Sequence, residues 1–179
     1  MLMPVSKLKP KQVEQVTEWV ATCIADQRSS FVKRARPIPP ELANNVRPFF
    51  PKDILSGVHV VRGRADEPAF YSQLRAMGIR NPPAFSDMAG ITFQDVVVHA
   101  EPLTAALLFH ELVHALQYKH LGLRGFAERY VRGFLTGGSY EEIPLEKQAY
   151  SLENDFVRDP SAVFSVEDYV KDWIRLDRF

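Results

Sequence analysis

The sequence predicts an α+β fold, with a small β-sheet in the first half of the chain and a helical second half. β-Branched residues are concentrated in two short runs, residues 57–63 and 91–98, and both runs indicate strands. From Pro102 onward the apolar residues recur at helical spacing. The helices expected there cover residues 102–120, 124–135, 144–158 and 165–176. A chain of 179 residues is long enough for one well-packed domain, so we expect a single domain over residues 1–179.

The remainder of the first half is predicted to hold two helices and a proline-rich segment. Apolar residues at helical spacing indicate a first helix over residues 10–27, and a short helix over residues 67–77 is expected to end at Gly78. Five prolines stand between Pro37 and Pro51, where they remove backbone hydrogen-bond donors. We therefore expect an extended loop or a pair of short turns there, running over the surface as a connector.

Composition and charge limit the classes of partner. The chain has 22 basic residues (Lys and Arg) and 22 acidic residues (Asp and Glu), so its net charge is zero. The basic surface of a nucleic-acid-binding protein is therefore not expected. No run of about 20 apolar residues occurs, and the N-terminus lacks the apolar core of a signal peptide, so we expect no membrane span and a cytoplasmic location. Export that uses another signal stays open, as does the oligomeric state. Cys23 is the single cysteine and is expected to be a small buried apolar residue.

One pentapeptide in the helix over residues 102–120 has the chemistry of a metal site. The run from His110 to His114 reads His-Glu-Leu-Val-His, which fits the pattern H-E-x-x-H. On a helix of about 3.6 residues per turn, the two imidazoles lie about 40° apart and can bind one ion. Glu111 lies about 100° from His110, where it can act on a water bound to that ion. We therefore expect Zn²⁺ at His110 and His114, with Glu111 as the general base.

The surroundings of the pentapeptide favour a metal over simple packing. The helix is apolar nearly all round, so we expect it to be buried. Two histidines and a glutamate inside the protein need partners because an unpaired buried charge is costly, and a metal ion supplies one. The alternative is a pair of core histidines that are hydrogen-bonded to the backbone or to tyrosine. That alternative leaves Glu111 without a role.

One candidate for a third protein ligand is His120. It stands six residues after His114, which is the spacing of the metzincin pattern HExxHxxGxxH. That pattern has glycine at position 117, where the chain leaves the helix and turns back, and this chain has Gln117. We therefore expect His120 to continue the helix as a surface residue.

The preferred third ligand is Glu146. Pro144 is expected to start a helix and to place Glu146 in its first turn, which favours a carboxylate. Ala149 shares that face and is small enough for the helix to come close to the HELVH helix. Glu141 and Glu142 precede the helix in a loop and are weaker candidates. His120 and Glu142 remain the alternatives to Glu146.

On these residues the sequence resembles the gluzincin branch of the zincin metallopeptidases, and in particular the short bacterial minimal gluzincins. In that family, HExxH is followed after a helical hairpin by a P-x-E-x-x-A helix. The matching residues are His110, Glu111, His114, Pro144, Glu146 and Ala149. The resemblance covers roughly residues 90–155, which would form the metal core. It implies a zincin-like fold in which an edge strand, here residues 91–98, lies on the HExxH helix, lines the cleft and pairs with an extended peptide.

The resemblance also implies a reaction, namely hydrolysis of peptide bonds in a peptide or protein substrate. Its ligand set is two histidines, one glutamate and a water on zinc. Many gluzincins have an aspartate four residues after the ligand glutamate, where it orients a ligand histidine, whereas this chain has Tyr150. Tyr150 or Tyr140 is a candidate to assist an oxyanion, although either can equally be a packing aromatic.

Other functions compete with zinc-dependent peptide hydrolysis. A peptide deformylase needs a cysteine ligand, and Cys23 lies far upstream in a different predicted helix. A two-histidine, one-carboxylate iron oxygenase uses the same donors but normally takes them from the strands of a β-barrel. The main alternative is a non-catalytic zincin-like binding or scaffold module that retains a structural metal.

Overall fold

The structure is a computed structural model, and it describes residues 8–79 and 81–179. As the sequence predicts, the fold is mixed α+β, with all strands between residues 36 and 99 and a helical second half. The α-helices of the described residues are α1 (Pro10–Val32), α2 (Pro40–Val46), α3 (Lys52–Gly57), α4 (Tyr71–Ala76), α5 (Ala105–Gly137), α6 (Pro144–Arg158) and α7 (Val166–Arg175). Residues 1–7, which belong to the segment where no signal peptide is predicted, lie outside the described residues.

The sheet has four short strands within the described part of the chain. They are β1 (Arg36–Pro37), β2 (His59–Arg62), β3 (Gly90–Phe93) and β4 (Val96–His99). The spatial order is β1-β2-β4-β3, with β2 parallel to β4 and the other two pairs antiparallel. Val97 packs into one apolar cluster with α5, and Val96 and Val98 pack into another with α1, so both faces of β4 are covered. β3 is an edge strand, and it lies beside α5.

The prediction of a single strand over residues 91–98 is wrong, because this segment forms a hairpin of β3 and β4. The chain reverses at Gln94, whose φ of 61° lies in the left-handed region, and at Asp95. Arg28 of α1 forms an ion pair with Asp95 and holds the turn against the first helix. The apolar, β-branched pattern continues across the turn, so the pattern alone resembles one strand.

The prediction of a loop or turns over the prolines is also wrong. Pro40 is the first residue of α2, and Pro51 caps α3, positions at which the missing N–H has no helical partner. Nor is the segment a surface connector, since Val46, Phe49 and Phe50 are buried in the core against α5. The prolines therefore start helices that carry core residues.

Several predicted helix boundaries need correction, and others are confirmed. α1 runs five residues further than predicted, to Val32, and α4 begins at Tyr71. α5 begins after Thr104, whose hydroxyl accepts a hydrogen bond from the Leu107 N–H, so Pro102 lies outside the helix. The predicted cap of α7 is present, because Ser165 Oγ accepts from the Asp168 N–H at 3.2 Å.

Among residues 8–79 and 81–179, none of the helices is both long enough and apolar enough to span a membrane.

Candidate metal centre

The HELVH residues lie in the second and third turns of α5, after the Thr104 cap. His110, Glu111 and His114 are only 5%, 3% and 5% exposed, although all three are polar. Their neighbours on α5 are fully buried apolar residues that pack on the sheet and on α6. The helix is therefore held rigidly, and its polar face turns towards one interior point rather than towards solvent.

α6 brings a third donor to the same point. Pro144 is its first residue, and Glu146 lies in its first turn with 3% exposure. Glu146 Oε2 is 3.4 Å from His110 Nε2 and 3.3 Å from His114 Nε2, and the two Nε2 atoms are 3.1 Å apart. Ligands at about 2.0–2.1 Å from a tetrahedral zinc ion are separated by about 3.3 Å, so this triangle has the size that such an ion requires.

Glu146 Oε2 is also an unsatisfied buried atom. Among residues 8–79 and 81–179, it is the one buried side-chain oxygen or nitrogen that makes no hydrogen bond. Buried polar groups are normally paired, and a carboxylate oxygen without a partner is especially costly. A cation bound between Glu146 and the two imidazoles would supply that partner.

The electrostatics of the cluster favour positive charge at this point. Burial opposes protonation of His110, but the carboxylates of Glu146 and Glu153 beside the ring outweigh it and raise its pKa to about 10. Burial favours a neutral Glu146, yet attraction to His114 and the close approach of both imidazoles hold its pKa below the usual range. The donors thus attract a proton where no other cation is present, and a metal ion would take the same place.

Each histidine is oriented by a second hydrogen bond. Glu153, on α6, accepts from His110 Nδ1 at 3.0 Å, and Gln117 Oε1 lies 2.8 Å from His114 Nδ1. Gln117 donates through its amide to the carbonyl of Leu145 and to Gln148, which fixes its oxygen as the acceptor. With Nδ1 as the donor in each ring, Nε2 is the atom directed at the shared point, and its lone pair would be available to a metal ion that replaces a proton there.

Glu111 contacts the edge strand rather than the triangle. Thr92 of β3 donates to Glu111 Oε2 at 2.6 Å, and its hydroxyl is also 3.1 Å from the main-chain oxygen of Glu111. A Cβ atom built on Gly90 would stand 2.6 Å from Glu111 Oε1, so glycine is what allows the strand to lie this close. Burial raises the pKa of Glu111, although the nearby histidines oppose this effect. The carboxylate is held beside the triangle and is suited to accept a proton.

An open cleft of about 610 Å³ runs past these residues. His110 and Glu111 line it together with Tyr140 and Tyr150, the two tyrosines that the sequence suggests for an oxyanion. The Tyr150 ring lies against His110, with centroids 4.5 Å apart, and is 41% exposed. Burial raises the pKa of Tyr140, so its hydroxyl remains protonated at neutral pH. Both tyrosines thus lie at the cleft.

The alternative third ligands lie elsewhere. His120 Nε2 is 2.9 Å from Glu167 of α7, on a different side of α5 from the triangle. Helix α5 continues through this residue and breaks only at Gly122. Glu142 is exposed and forms an ion pair with Lys147 at 2.6 Å, and Glu141 is exposed at the cleft.

Two features of the site escape the sequence-based predictions. The first is Glu153, which orients His110; it stands seven residues, or two helical turns, after Glu146, so the i+7 spacing is the signal that finds it. The second is the pair Gly133 and Gly137 on α5. A Cβ on Gly133 would lie 2.6 Å from Pro144 Cδ, and one on Gly137 would lie 2.4 Å from Glu142 Cβ. These glycines let the start of α6 lie against α5 and so help to place Glu146.

Comparisons with protein-family models, with curated proteins and with solved structures found no match to this chain.

Proposed function

We propose that this chain is a zincin-like zinc metallopeptidase whose metal is held by His110, His114 and Glu146. The observation that carries the proposal is the convergence of three buried donor atoms at 3.1–3.4 Å, one of which, Glu146 Oε2, has no hydrogen-bond partner. Two imidazoles and one carboxylate are a common protein ligand set for catalytic zinc and leave a fourth position for water or substrate. The open cleft beside His110 gives a substrate access to that position.

The proposed chemistry assigns separate roles to the metal and to Glu111. Zinc bound at the three donors would supply a Lewis acid that lowers the pKa of water and polarises a carbonyl oxygen. The Glu111 carboxylate takes a proton from the attacking water and passes it to the leaving nitrogen of the scissile bond. Its burial and its raised pKa favour proton uptake, and Thr92 fixes its direction. Tyr140 and Tyr150 at the cleft are the candidates to donate to the oxyanion.

The proposed substrate is a peptide in extended conformation. β3 is an edge strand, so one side of its backbone has no strand partner among the described residues, and an extended peptide can pair with such an edge. Its residues Gly90 and Thr92 lie directly against Glu111. A peptide paired with β3 would therefore run past the general base, with a peptide bond close to the metal.

The test compares wild type with Glu111→Gln, each loaded with zinc, on a mixed peptide library analysed by mass spectrometry. Glu111→Gln keeps the shape and the hydrogen bond to Thr92 but removes the base, so we expect zinc to stay bound and cleavage to fall by about 10²–10⁴-fold. Glu128→Gln, an exposed change on α5, is the matched control and should cleave like wild type.

The same peptide library distinguishes a peptidase from a non-catalytic scaffold module. Absence of cleavage by zinc-loaded wild type across the library would reject the peptidase and favour the non-catalytic module with a structural metal. Equal cleavage by wild type and Glu111→Gln would reject Glu111 as the base.

A further inference from the structure

A row of three hydrogen bonds begins at the candidate metal centre and ends on α7, a helix that supplies none of the proposed ligands. His114 Nδ1 donates to Gln117 Oε1 at 2.8 Å. Gln117 Nε2 donates to Gln148 Oε1 at 3.1 Å, and Gln148 Nε2 donates to the main-chain carbonyl of Tyr169 at 3.1 Å. The row therefore crosses from α5 through α6 to α7, and it connects a proposed zinc ligand with the backbone of the last helix.

Burial makes these hydrogen bonds matter for the two amides. Gln117 and Gln148 are 0% and 1% exposed, so water has almost no access to replace a lost partner. A buried amide group that loses its partner keeps the full cost of its desolvation. Each of the two side chains is therefore restricted to the orientation in which its oxygen accepts and its nitrogen donates.

Main-chain oxygens set the direction of the whole row. The carbonyl of Tyr169 can only accept, so it requires the nitrogen of Gln148, whose oxygen then faces Gln117. The carbonyl of Leu145 also accepts from Gln117, at 3.0 Å, which leaves the oxygen of Gln117 for His114. An amide oxygen at Nδ1 requires a donor there and directs Nε2 to the shared point. One carbonyl on α6 and one on α7 thus determine how His114 is presented to a metal ion.

The α7 end of the row is anchored independently of the metal centre. Val166 and Val170 are fully buried in the apolar cluster that α5 also forms. The Val166 N–H donates to the carbonyl of Phe49 at 3.2 Å, and Glu167 forms an ion pair with Lys119 of α5. The Tyr169 carbonyl therefore has a defined position relative to α5, and the row transfers that position to His114.

We propose that Gln148 is a positioning residue through which the packing of α7 sets the affinity of the metal centre, a role that rests on the proposed zinc site and not on peptide hydrolysis. Gln148 contacts neither the proposed ligands nor the cleft, and it acts on His114 through Gln117. Loss of a group that directly supports a ligand histidine lowers metal affinity about 10- to 100-fold. Gln148 is one hydrogen bond further away, and Leu145 continues to hold Gln117, so its loss should have a smaller effect.

The first test is Gln148→Met, which keeps the length of the side chain and removes both of its hydrogen bonds. We expect zinc affinity of the folded protein, measured by competition with a chromophoric chelator, to fall about 3- to 10-fold. The visible absorption spectrum of the Co²⁺-loaded protein should change as well, because it reports the geometry of the ligands. Lys147→Met, at the exposed neighbouring position on α6, is the matched control and should leave both readouts unchanged.

The second test moves α7 without touching the amides. Val170→Ala removes two methyl groups beneath α7, and Val46→Ala removes the same groups from an equally buried position on α2. We expect Val170→Ala to weaken zinc binding about 2- to 5-fold and Val46→Ala to leave it unchanged. Because Gln148 transmits the effect, adding Val170→Ala to Gln148→Met should cause little further loss.

Three results would overturn the role of Gln148. These are wild-type zinc affinity and Co²⁺ spectrum in folded Gln148→Met, equal weakening by Val170→Ala and Val46→Ala, or an undiminished effect of Val170→Ala in the Gln148→Met background. If Gln148→Met does not fold, the comparison of Val170→Ala with Val46→Ala decides. Failure of the wild-type chain to bind zinc would reject the metal site and this role together, whereas zinc binding without peptide cleavage would reject the peptidase alone.

Discussion

At the scale of single residues, the feature that most needs a physical explanation is the Glu146 carboxylate. Only 3% of its surface is accessible to solvent, and Oε2 has no hydrogen-bond partner among the described residues. A fold that merely packed this residue would leave a buried charge uncompensated. Two imidazole nitrogens lie within 3.4 Å of Oε2, and a cation bound among the three atoms would compensate this charge.

The hydrogen bond from His110 to Glu153 gives a first prediction. Glu153→Leu removes the acceptor that orients the ring, so we expect zinc affinity to fall about 10- to 100-fold. Glu153→Gln keeps an acceptor oxygen and should retain most of the affinity. Competition with a chromophoric chelator measures all variants, and Glu141→Leu, an acid at the same cleft without a contact to His110, is the control. An affinity in Glu153→Leu equal to that of wild type would show that His110 needs no support from α6.

Residue types and spacing on α5 predict the pair of histidines and the base, because helical geometry fixes their relation within two turns. Glu146 follows from its place in the first turn of a helix that proline starts. The support of His114 by Gln117 is harder to foresee. Position 117 is informative in the sequence chiefly as a missing glycine, and its amide bonds to Leu145 and Gln148 depend on how α6 packs. That packing arises from tertiary contacts, which local pattern does not encode.

At the scale of elements, α5 is two helical segments joined at Gly122. The φ of 70° and ψ of 167° at this residue belong to a region that only glycine enters easily. Gly122→Ala should therefore lower the free energy of unfolding by about 1–3 kcal/mol, because an alanine residue is strained in this backbone conformation.

Gly125→Ala is the matched control for Gly122→Ala. Its added Cβ would make ordinary contacts, 3.5 Å from Leu121 Cβ, and alanine favours a helix by about 1 kcal/mol over glycine. Urea unfolding of the metal-free proteins measures both. A Gly122→Ala protein as stable as Gly125→Ala would mean that the break in α5 is not imposed at residue 122.

The packing of α7 on α5 is predicted to weaken at low pH. Hydrogen bonding from Lys119, opposed by burial and reinforced by His120 and Lys171, lowers the pKa of Glu167 to about 2 from its usual 4.5. Because the folded pKa is depressed, these ion pairs contribute fully above about pH 4.5, and their contribution is lost as the pH falls through 2. Glu167→Gln should thus cost about 1 kcal/mol at pH 6.

The pH dependence supplies the check on Glu167. The gap in unfolding free energy between wild type and Glu167→Gln, measured without metal, should close as the pH is lowered from 5 to 2. Glu128→Gln, which breaks an exposed pair on α5, should show a small gap throughout. A Glu167→Gln gap that stays constant over this range would contradict the role of these ion pairs.

At the scale of the whole molecule, the sheet and the helical half meet at the candidate metal centre. α5 supplies two donors and the base, α6 supplies the third donor, and the edge strand β3 closes over the base. The division into a β-containing first half and a helical second half is predictable because residue patterns differ between the halves. The hairpin of β3 and β4 is not, since its turn at Gln94 interrupts neither the apolar character nor the β-branched character of the run.

The short helices of the proline-rich segment are likewise not predictable from the residue pattern alone. Pro40 and Pro51 are suited to helix starts, but only the apolar core beneath them, which receives Val46 and Phe49, makes short helices favourable there. Propensity alone favours loops, and burial decides the outcome.

The most direct test of the metal centre is the zinc content of the purified chain by elemental analysis after equilibration with a zinc buffer. We expect one zinc per chain in wild type. Glu146→Ala should bind at least about a hundredfold more weakly, because a direct ligand contributes more than its supporting hydrogen bonds. Glu142→Ala, an exposed neighbour, should bind like wild type. Zinc absent from wild type, or affinity unchanged in Glu146→Ala, would contradict a metal held by His110, His114 and Glu146.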